Sequence, residues 1–294
     1  MAAGGLYDYG KLVDFPIQRR LFSLLDGRHQ GLGAGASHEF LDMAEYKPGD
    51  DISDIDWKTT ARHSQAIVKR FESTATLNVE LVVDRGSNMA AIAPSGESKA
   101  EIAGEITTAL AWMTSVRGDH LGLVTGNSQG VVTLPARSGV SHSELAVKAV
   151  VRADPQGGTA VVPQLLRRAE TLVRRRSLVF LVTDLAQIAP PIRGPLRRLA
   201  TRHSVAVLIV DDFDPTKTAM QEIRDIELGE LPDFVGEDAA LAKEWEQVIS
   251  RQRHYAEEAL RSLGLRFAFV DSRQAVLDAL VQVLGGGRRG TLTA

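Results

Sequence analysis

The sequence predicts an α/β protein whose mostly parallel β-sheet is covered by helices on both faces. From about Leu77 onward, apolar runs of strand length alternate with longer segments that repeat apolar residues at helical spacing. This alternation is typical of a parallel sheet whose strands are joined by helices. The 294 residues are 44% hydrophobic and 24% charged, the composition of an ordinary globular protein. Aromatic residues make up only 5%, so we expect a core built mainly from Val, Leu, Ile and Ala.

The order of the predicted elements follows the alternation. The first long helix is supported by apolar residues that recur on one face, namely Ile102, Ile106, Ala109, Leu110 and Met113. The predicted strands are residues 77–83, 120–125, 131–134, 177–183, 205–210 and 266–270. The predicted helices are residues 97–116, 144–151, a segment that starts near 161, an Arg-rich segment before 205, residues 237–263, and a last helix that ends at 284.

Four of these strands end in an aspartate: Asp84, Asp184, Asp211 and Asp271. In open α/β sheets the ligand site lies at the carboxyl ends of the strands, near the point where the strand order reverses. We therefore expect carboxylates at one edge of the sheet. The sequence leaves open which of them share a site, because it does not determine the order of the strands.

The region before residue 76 has a different character. It is rich in Gly and Asp, shows little helical periodicity, and contains one clear strand, Ala66–Phe71. We predict three parts: an N-terminal β-rich or irregular extension over residues 1–75 that packs on the sheet domain, the sheet domain over 76–285, and a flexible tail over 286–294.

Composition and motifs exclude several classes of function. The net charge of −3 and pI of about 6.2 argue against a nucleic-acid partner, which a basic field would attract. There is no cysteine, so disulfides and zinc–thiolate sites are excluded. We find no Gly-x-Ser-x-Gly elbow, Walker loop, secretory signal or membrane-spanning run. We therefore expect a cytoplasmic protein that does not insert into a membrane.

Three short motifs point to one site at the sheet edge. DRGSNM at Asp84–Met89, GGT at Gly157–Thr159 and LVTD at Leu181–Asp184 resemble the three motifs of the von Willebrand factor A domain. The resemblance implies a metal ion-dependent adhesion site formed by Asp84, Asn88, Thr159 and Asp184. Gly86 and Asn88 stand where that family has two serines, so we expect Mg²⁺ binding to be weak or absent. Alternatively, the two aspartates cap loops and helices and Thr159 caps the next helix.

A second motif, EYKPGDDISDIDWKTTARHS at Glu45–Ser64, is the most specific signal in the chain. With GLGAGASHEF before it and DRGSNM after it, this stretch strongly resembles the domain of unknown function 58 family, over roughly Leu25–Leu284. Ser53 stands where that family usually has arginine. We consider the motif either a partner-binding surface or a structural clasp. In the clasp, Asp54 or Asp56 caps a helical turn, Trp57 anchors apolar surface and Arg62 holds a carboxylate. The candidate residues are Tyr46, Asp50, Asp51, Asp56, Trp57 and Arg62.

The resemblance implies a function as well as a fold. Members of this family typically occur beside MoxR-type AAA ATPases. It therefore implies a non-enzymatic protein-interaction module, an adaptor or co-chaperone that works with such an ATPase and a client protein. Docking would use the degenerate adhesion site. The alternative is a magnesium-dependent nuclease-like enzyme that uses Asp50, Asp56 and Lys58.

Overall fold

A computed structural model of the chain describes residues 6–32, 38–46, 55–62, 65–73, 76–152, 157–217, 224–225, 229–230 and 239–285. It divides into two units. One comprises residues 1–32 and 77–294, and the other comprises residues 33–76. The predicted tail, residues 286–294, lies outside the described residues. Across the described part of the chain, every helix is too short or too polar to cross a bilayer.

The secondary structure comprises the following helices and strands. The helices are α1 (Leu6–Leu12), α2 (Phe15–Leu32), α3 (Trp57–Thr60), α4 (Lys99–Arg117), α5 (Val140–Val151), α6 (Val162–Leu172), α7 (Pro190–Arg202), α8 (Ala239–Ser262) and α9 (Val276–Leu284). The strands are β1 (His38–Glu45), β2 (Ile67–Ser73), β3 (Asn78–Asp84), β4 (His120–Asn127), β5 (Gly130–Arg137), β6 (Leu178–Asp184), β7 (Ser204–Val210), β8 (Arg224–Asp225), β9 (Gly229–Glu230) and β10 (Arg266–Val270). Every element predicted after residue 76 is present.

The main sheet of the first unit has six strands in the order β10-β7-β6-β3-β4-β5. All neighbours are parallel except β5, which runs antiparallel to β4 at the edge. The order changes direction between β3 and β6, which are adjacent although they are separated by β4 and β5 in the sequence. This arrangement confirms the predicted α/β class with a mostly parallel sheet, and it defines the switch point where such sheets bind ligands.

Helices cover both faces of this sheet. The core on one face includes residues of α4, α5 and α9, and the core on the other includes residues of α6, α7 and α8. The central strand β6 is buried along its whole length, as expected of an all-apolar strand between two helical layers. Successive residues of β3 therefore belong to different cores: Leu81 faces the first core and Val82 the second.

The structure divides the N-terminal region differently from our prediction. Residues 6–32 form two helices, and Leu6, Val13, Leu21 and Leu25 are buried in the core that also contains α4 and α9. The ring of Trp112 on α4 lies 5.9 Å from the ring of Tyr9 and 5.5 Å from that of Phe22. This segment belongs to the sheet unit because its apolar side chains cover the outer surface of α4 and α9.

The second unit, residues 33–76, is built on an antiparallel pair of strands. β1 pairs with β2, and Ile55 makes a further bridge to Val68. The single turn of α3 begins after Asp56, whose side chain accepts hydrogen bonds from the backbone N–H groups of Lys58 and Thr59. At its end, Thr60 Oγ1 accepts from the Ile67 N–H at 2.9 Å, which attaches the turn to β2.

Candidate functional site

The candidate site lies at the carboxyl edge of the main sheet, where β3 and β6 end side by side. Because these strands are adjacent and parallel, their last residues, Asp84 and Asp184, lie next to each other. β7 follows β6 in the sheet, so Asp211 and Asp212, which come directly after β7, extend the same edge. Of the predicted carboxylates, the strand order brings Asp84 and Asp184 together at the switch point and places Asp211 one strand away, whereas Asp271 follows β10 at the end of the sheet.

Asp84 is fully buried and accepts three hydrogen bonds. Its donors are the Gly86 N–H at 2.9 Å, Asn88 Nδ2 at 2.9 Å and Thr183 Oγ1 at 3.0 Å. Burial raises the pKa of this carboxyl above its ordinary value, although the hydrogen bonds oppose the rise. Asp84 thus holds the loop that follows β3 closely against the strand ends.

Asp184 also accepts three hydrogen bonds, one of them from the same amide group. Asn88 Nδ2 lies 2.9 Å from Asp184 Oδ2, Lys99 Nζ lies 2.8 Å from that oxygen, and the Gln187 N–H lies 3.2 Å from Oδ1. The amide of Asn88 therefore bridges the two strand-end carboxylates. The opposite orientation of the amide would place its oxygen against two carboxylate oxygens, so the donor assignment follows from the chemistry.

Lys99 brings a positive charge to the edge from the start of α4. Its side chain is 1% exposed and forms ion pairs with Asp184 and with Asp212. Burial opposes the charge of Lys99, but the two carboxylates outweigh it and raise the pKa of the ammonium group. Burial raises the pKa of Asp212, because it disfavours the charged carboxylate, and the positive charge of Lys99 opposes this rise. The helix start is fixed by Ser98 and Glu101, which form a reciprocal capping box.

The third predicted motif, around Thr159, lies against the same loop. The Ser87 N–H donates to the Gly158 carbonyl at 2.7 Å, and a Cβ atom built on Gly86 would lie 2.4 Å from the Ala160 nitrogen. Thr159 itself is exposed, and its backbone N–H donates to Ser128 Oγ at 3.0 Å. The loop containing Thr159 thus meets the Asp84 loop through the backbone.

This arrangement does not fit a divalent cation held by Asp84, Asn88, Thr159 and Asp184. A cation requires oxygen ligands that face it, whereas Asn88 directs its NH₂ group at both carboxylates and Lys99 contacts Asp184. Gly86 has no side-chain oxygen, and no space is open for one. Among the described residues, no group of three or more His, Cys, Asp or Glu side chains is placed to hold a metal ion.

A groove of about 670 Å³ adjoins the edge, between the loop after β7 and α8. Its walls include Pro94 from the loop before α4, and Phe213 and Trp245 as aromatic residues. Five carboxylates line it, from Asp211, Asp212, Asp214, Glu246 and Glu257. Arg253 lies 2.6 Å from Asp211 and joins α8 to the edge. Burial raises the pKa of Asp211, and Arg253 opposes that rise.

The second motif lies in the other unit, and part of it has a clear structural role. Asp56 caps α3, as in the structural alternative, and the Tyr46 N–H donates to the Ala66 carbonyl at 2.8 Å. Asp50 and Asp51 lie outside the described residues, as does Asp54, the other candidate for the cap. Asp56 Oδ1 accepts hydrogen bonds from the N–H groups of Lys58 and Thr59, so this oxygen of the nuclease-like cluster serves the helix cap.

The structure corrects one part of the clasp alternative, in which Trp57 anchors apolar surface. Its side chain is 67% exposed, and Arg62 is also exposed. The reason lies in how α3 is held: the Asp56 cap, the bond from the Ile67 N–H to Thr60 Oγ1 and the bridge from Ile55 to Val68 fix the turn without the indole. Trp57 is therefore a surface residue.

Comparison with known proteins agrees with the motifs. The family model described as "Protein of unknown function DUF58" matches residues 42–255. The chain belongs to the DUF58 family. The prediction from the second motif is thereby confirmed.

Relatives of this DUF58 protein are found in several bacteria. "Uncharacterized protein Rv1480" of Mycobacterium tuberculosis (strain ATCC 25618 / H37Rv) is 26% identical over 291 residues, which cover 96% of this chain and 90% of the relative. "Uncharacterized protein YeaD" of Bacillus subtilis (strain 168) is 34% identical over 85 residues, or 26% of this chain and 21% of the relative.

Solved structures similar to this DUF58 protein include proteins described as von Willebrand factor A domains. The structure titled "von Willebrand factor type A from Catenulispora acidiphila" matches with a TM-score of 0.43 and 16% identity, covering 74% of this chain and 44% of that one. BatB from Bacteroides thetaiotaomicron matches with a TM-score of 0.49 and 15% identity, covering 71% of this chain and 97% of that one. The predicted α/β class with a mostly parallel sheet is confirmed by the strand order.

Two residues of the DUF58 edge were not predicted as site residues, namely Lys99 and Asp212. Lys99 reaches Asp184 across 85 positions of sequence and Asp212 across 113, which is why no local pattern reveals the contacts. One feature of the sequence does indicate a special role for Lys99. Lys99 is the first residue of a helix after a serine cap, where a positive charge is unfavourable.

Proposed function

We propose that this DUF58 protein is a non-enzymatic interaction module that works as an adaptor or co-chaperone with a MoxR-type AAA ATPase and a client protein. Its von Willebrand factor A-like domain is of a kind that suggests protein interaction, and the ATPase partner is what the family resemblance implies. The observation that carries the proposal is the state of the edge carboxylates. Asp84 and Asp184 each accept three hydrogen bonds from groups of this chain.

Carboxylates used in this way act as supports for the loops around them. A general base needs an oxygen within reach of a substrate proton, whereas these oxygens hold Asn88, Lys99 and the backbone of two loops. Rigid loops at a switch point can present exposed groups to a partner with little loss of conformational entropy. The edge is therefore better suited to binding than to proton transfer.

The proposed docking face consists of the exposed residues on these loops: Ile92, Pro94, Ser128 and Thr159. Ile92 is 50% exposed, and its carbonyl accepts a hydrogen bond from the Phe213 N–H at 2.9 Å, so the loop is fixed to the segment after β7. Pro94 belongs to the groove as well. Three carboxylates of the groove, from Asp211, Asp212 and Glu257, are already paired with Arg253, Lys99 and Arg261, so the exposed apolar residues of the face are its main contribution to docking.

The test is binding to the purified MoxR-type ATPases of the same cell, measured by biolayer interferometry with and without ATP. The matched variants are Ile92→Asp on the docking face and Val116→Asp near the other end of α4. Val116 is 60% exposed, so both changes place a charge on an exposed apolar residue. We expect Ile92→Asp to weaken binding by about tenfold or more, the effect of losing a central interface residue, and Val116→Asp to leave it unchanged.

Two results would contradict the proposal. One is the absence of a measurable complex with any of these ATPases while the protein is folded. The other is Mg²⁺-supported cleavage of DNA or RNA by the parent protein that disappears in Asp56→Ala, which would favour the nuclease-like alternative. Unchanged affinity in Ile92→Asp would show that docking takes place elsewhere, and equal losses in both charge variants would show that the loss is not specific to this face.

A further inference from the structure

The position of Lys99 is unfavourable on two grounds that the rest of the structure must offset. An ammonium group at the first residue of a helix meets the positive end of the helix dipole, and α4 is a helix of 19 residues. An ammonium group that is 1% exposed has also lost most of its hydration. Nearby negative charge offsets both costs, and Asp184 and Asp212 supply it.

The carboxylates of the edge are also costly to bury, because their negative charges lie close together. Asp84 and Asp184 are both buried and close enough to share the NH₂ group of Asn88. After burial, the charge of Asp184 is a further factor that raises the pKa of Asp84. Asp212 adds a third carboxylate, one-third exposed. Such a group of buried acids requires a cation or strong donors to remain together.

We infer that Lys99 is a built-in cation that replaces the divalent ion implied by the family resemblance, so the carboxyl edge assembles without metal. The ammonium group neutralises Asp184 and Asp212, and the Asn88 amide joins Asp184 to Asp84. A magnesium ion entering this site would have to lose water and displace a buried ammonium group from both partners. This inference concerns how the edge is held together and is independent of any partner protein.

Gly86 and Asn88, which stand where the related family has serine ligands, are consistent with Lys99 as the cation of the site. Gly86 lies so close to Ala160 that a Cβ atom would stand 2.4 Å from its nitrogen, which closes the space of a serine ligand at this position. Asn88 directs N–H groups at the two carboxylates, where a metal site would have a cation. Its Oδ1 is buried without a hydrogen-bond partner in the described structure. The loop is therefore shaped for donors supplied by the chain itself.

The inference is tested by thermal unfolding in EDTA and in millimolar MgCl₂. The variants are Lys99→Ala, Lys99→Ala with Asp184→Asn, and the control Lys148→Ala, whose side chain is 56% exposed and 3.9 Å from Glu144. We expect the parent and the control to have the same Tm in both buffers. In EDTA, Lys99→Ala should unfold roughly 10 °C lower, the effect of leaving buried carboxylates without their cation. MgCl₂ should restore part of that loss, and the Asp184→Asn change should remove the restoration.

Three results would overturn the inference. They are a Tm of the parent that rises in MgCl₂, a Lys99→Ala variant as stable as the parent in EDTA, and a Lys99→Ala variant equally destabilised in both buffers. If Lys99→Ala does not fold, titration calorimetry of the parent with MgCl₂ decides. Saturable binding overturns the inference, and the absence of binding heat, together with a folded Lys99→Arg variant that is also unresponsive to MgCl₂, supports it.

Discussion

Glu80 on β3 occupies the space that a side chain on Gly122 of the neighbouring strand would need. The two residues are paired in the β3–β4 register, and a Cβ atom built on Gly122 would lie 2.0 Å from Glu80 Oε2. Glu80 is 5% exposed and α6 packs over both strands. Burial raises the pKa of Glu80 to about 8, so this carboxyl carries its proton at neutral pH.

Replacing Glu80 with glutamine should stabilise the protein at high pH and have little effect at low pH. The unfolded chain releases the Glu80 proton near pH 4.5, whereas the folded chain keeps it until about pH 8. The folded state therefore binds more protons in this window, and parent stability falls as the pH rises through it. We expect Glu80→Gln to exceed the parent near pH 8 by up to about 5 kcal/mol in urea unfolding, at about 1.4 kcal/mol per pH unit.

Glu144→Gln is the matched control for this change. Its side chain is 35% exposed and 3.9 Å from Lys148, so the same isosteric replacement removes no buried carboxyl. The stability difference between this control and the parent should not grow with pH. If Glu80→Gln and the parent lose stability in parallel between pH 4.5 and pH 8, Glu80 does not titrate as its burial implies.

Leu21→Ala should destabilise the whole sheet unit, although Leu21 precedes the predicted sheet domain. The side chain of Leu21 on α2 is completely buried in the core shared with α4 and α9. Truncating a buried leucine costs about 2–5 kcal/mol. Leu12→Ala is the comparison, because Leu12 is 80% exposed and its loss should change stability by no more than about 0.5 kcal/mol. Equal urea midpoints for the two variants would mean that α1 and α2 are not part of the cooperative unit.

The fold after residue 76 could be predicted because its local signals agree with its burial. Strands such as β6 are apolar throughout and buried throughout, and α4 carries apolar residues at regular helical spacing. The α2 segment, FPIQRRLFSLLDGRHQGL, gave a weaker signal. Two glycines interrupt the segment. Its buried residues Leu21 and Leu25 are only one helical turn apart, which is too short a repeat to predict a helix from periodicity alone. The surface it covers on α4 and α9 is remote in sequence and is invisible to local periodicity.

The candidate site was predictable in its residues but not in its chemistry. Asp84 and Asp184 could be located because each ends an apolar strand, and the resemblance to the adhesion-site motifs implied one shared site, which the pairing of β3 with β6 brings about. Asn88 was expected to offer its amide oxygen to a metal, whereas its nitrogen donates to both carboxylates. The reason is Lys99, which lies at the start of α4 and supplies the positive charge. Contacts of this range depend on the tertiary fold.

Trp57→Ala should change stability little. The indole is 67% exposed, and truncations at exposed positions usually fall within about 0.5 kcal/mol. Trp112→Ala is the matched comparison, because Trp112 is 4% exposed and packs against Tyr9 and Phe22; its loss should cost about 3–5 kcal/mol. The measurement is the urea midpoint of each variant. A loss in Trp57→Ala as large as that in Trp112→Ala would show that the indole is buried in solution.

Gly86→Ser should destabilise the site even though serine is what the related motif carries. Gly86 has φ −71° and ψ 169°, which any residue adopts, so the restriction is one of space alone. A Cβ atom would lie 2.4 Å from the Ala160 nitrogen and 2.5 Å from Asn88 Oδ1, and the backbone of Ala160 cannot rotate away as a side chain would. The loop must separate, which threatens the 2.7 Å bond from the Ser87 N–H to the Gly158 carbonyl.

We expect Gly86→Ser to lower the free energy of unfolding by about 1–3 kcal/mol, the usual cost of overpacking, and Gly86→Ala to lower it by a similar amount. Similar losses in the two variants would show that the added Cβ atom, and not the serine hydroxyl, causes the destabilisation. Gly130→Ala is the control: a Cβ atom there meets no atom within 4 Å, so its stability should match the parent. Chemical unfolding of the three variants decides between the explanations. If Gly86→Ser is as stable as the parent while Gly86→Ala is not, the serine hydroxyl finds a favourable partner and the loop retains room for the missing ligand.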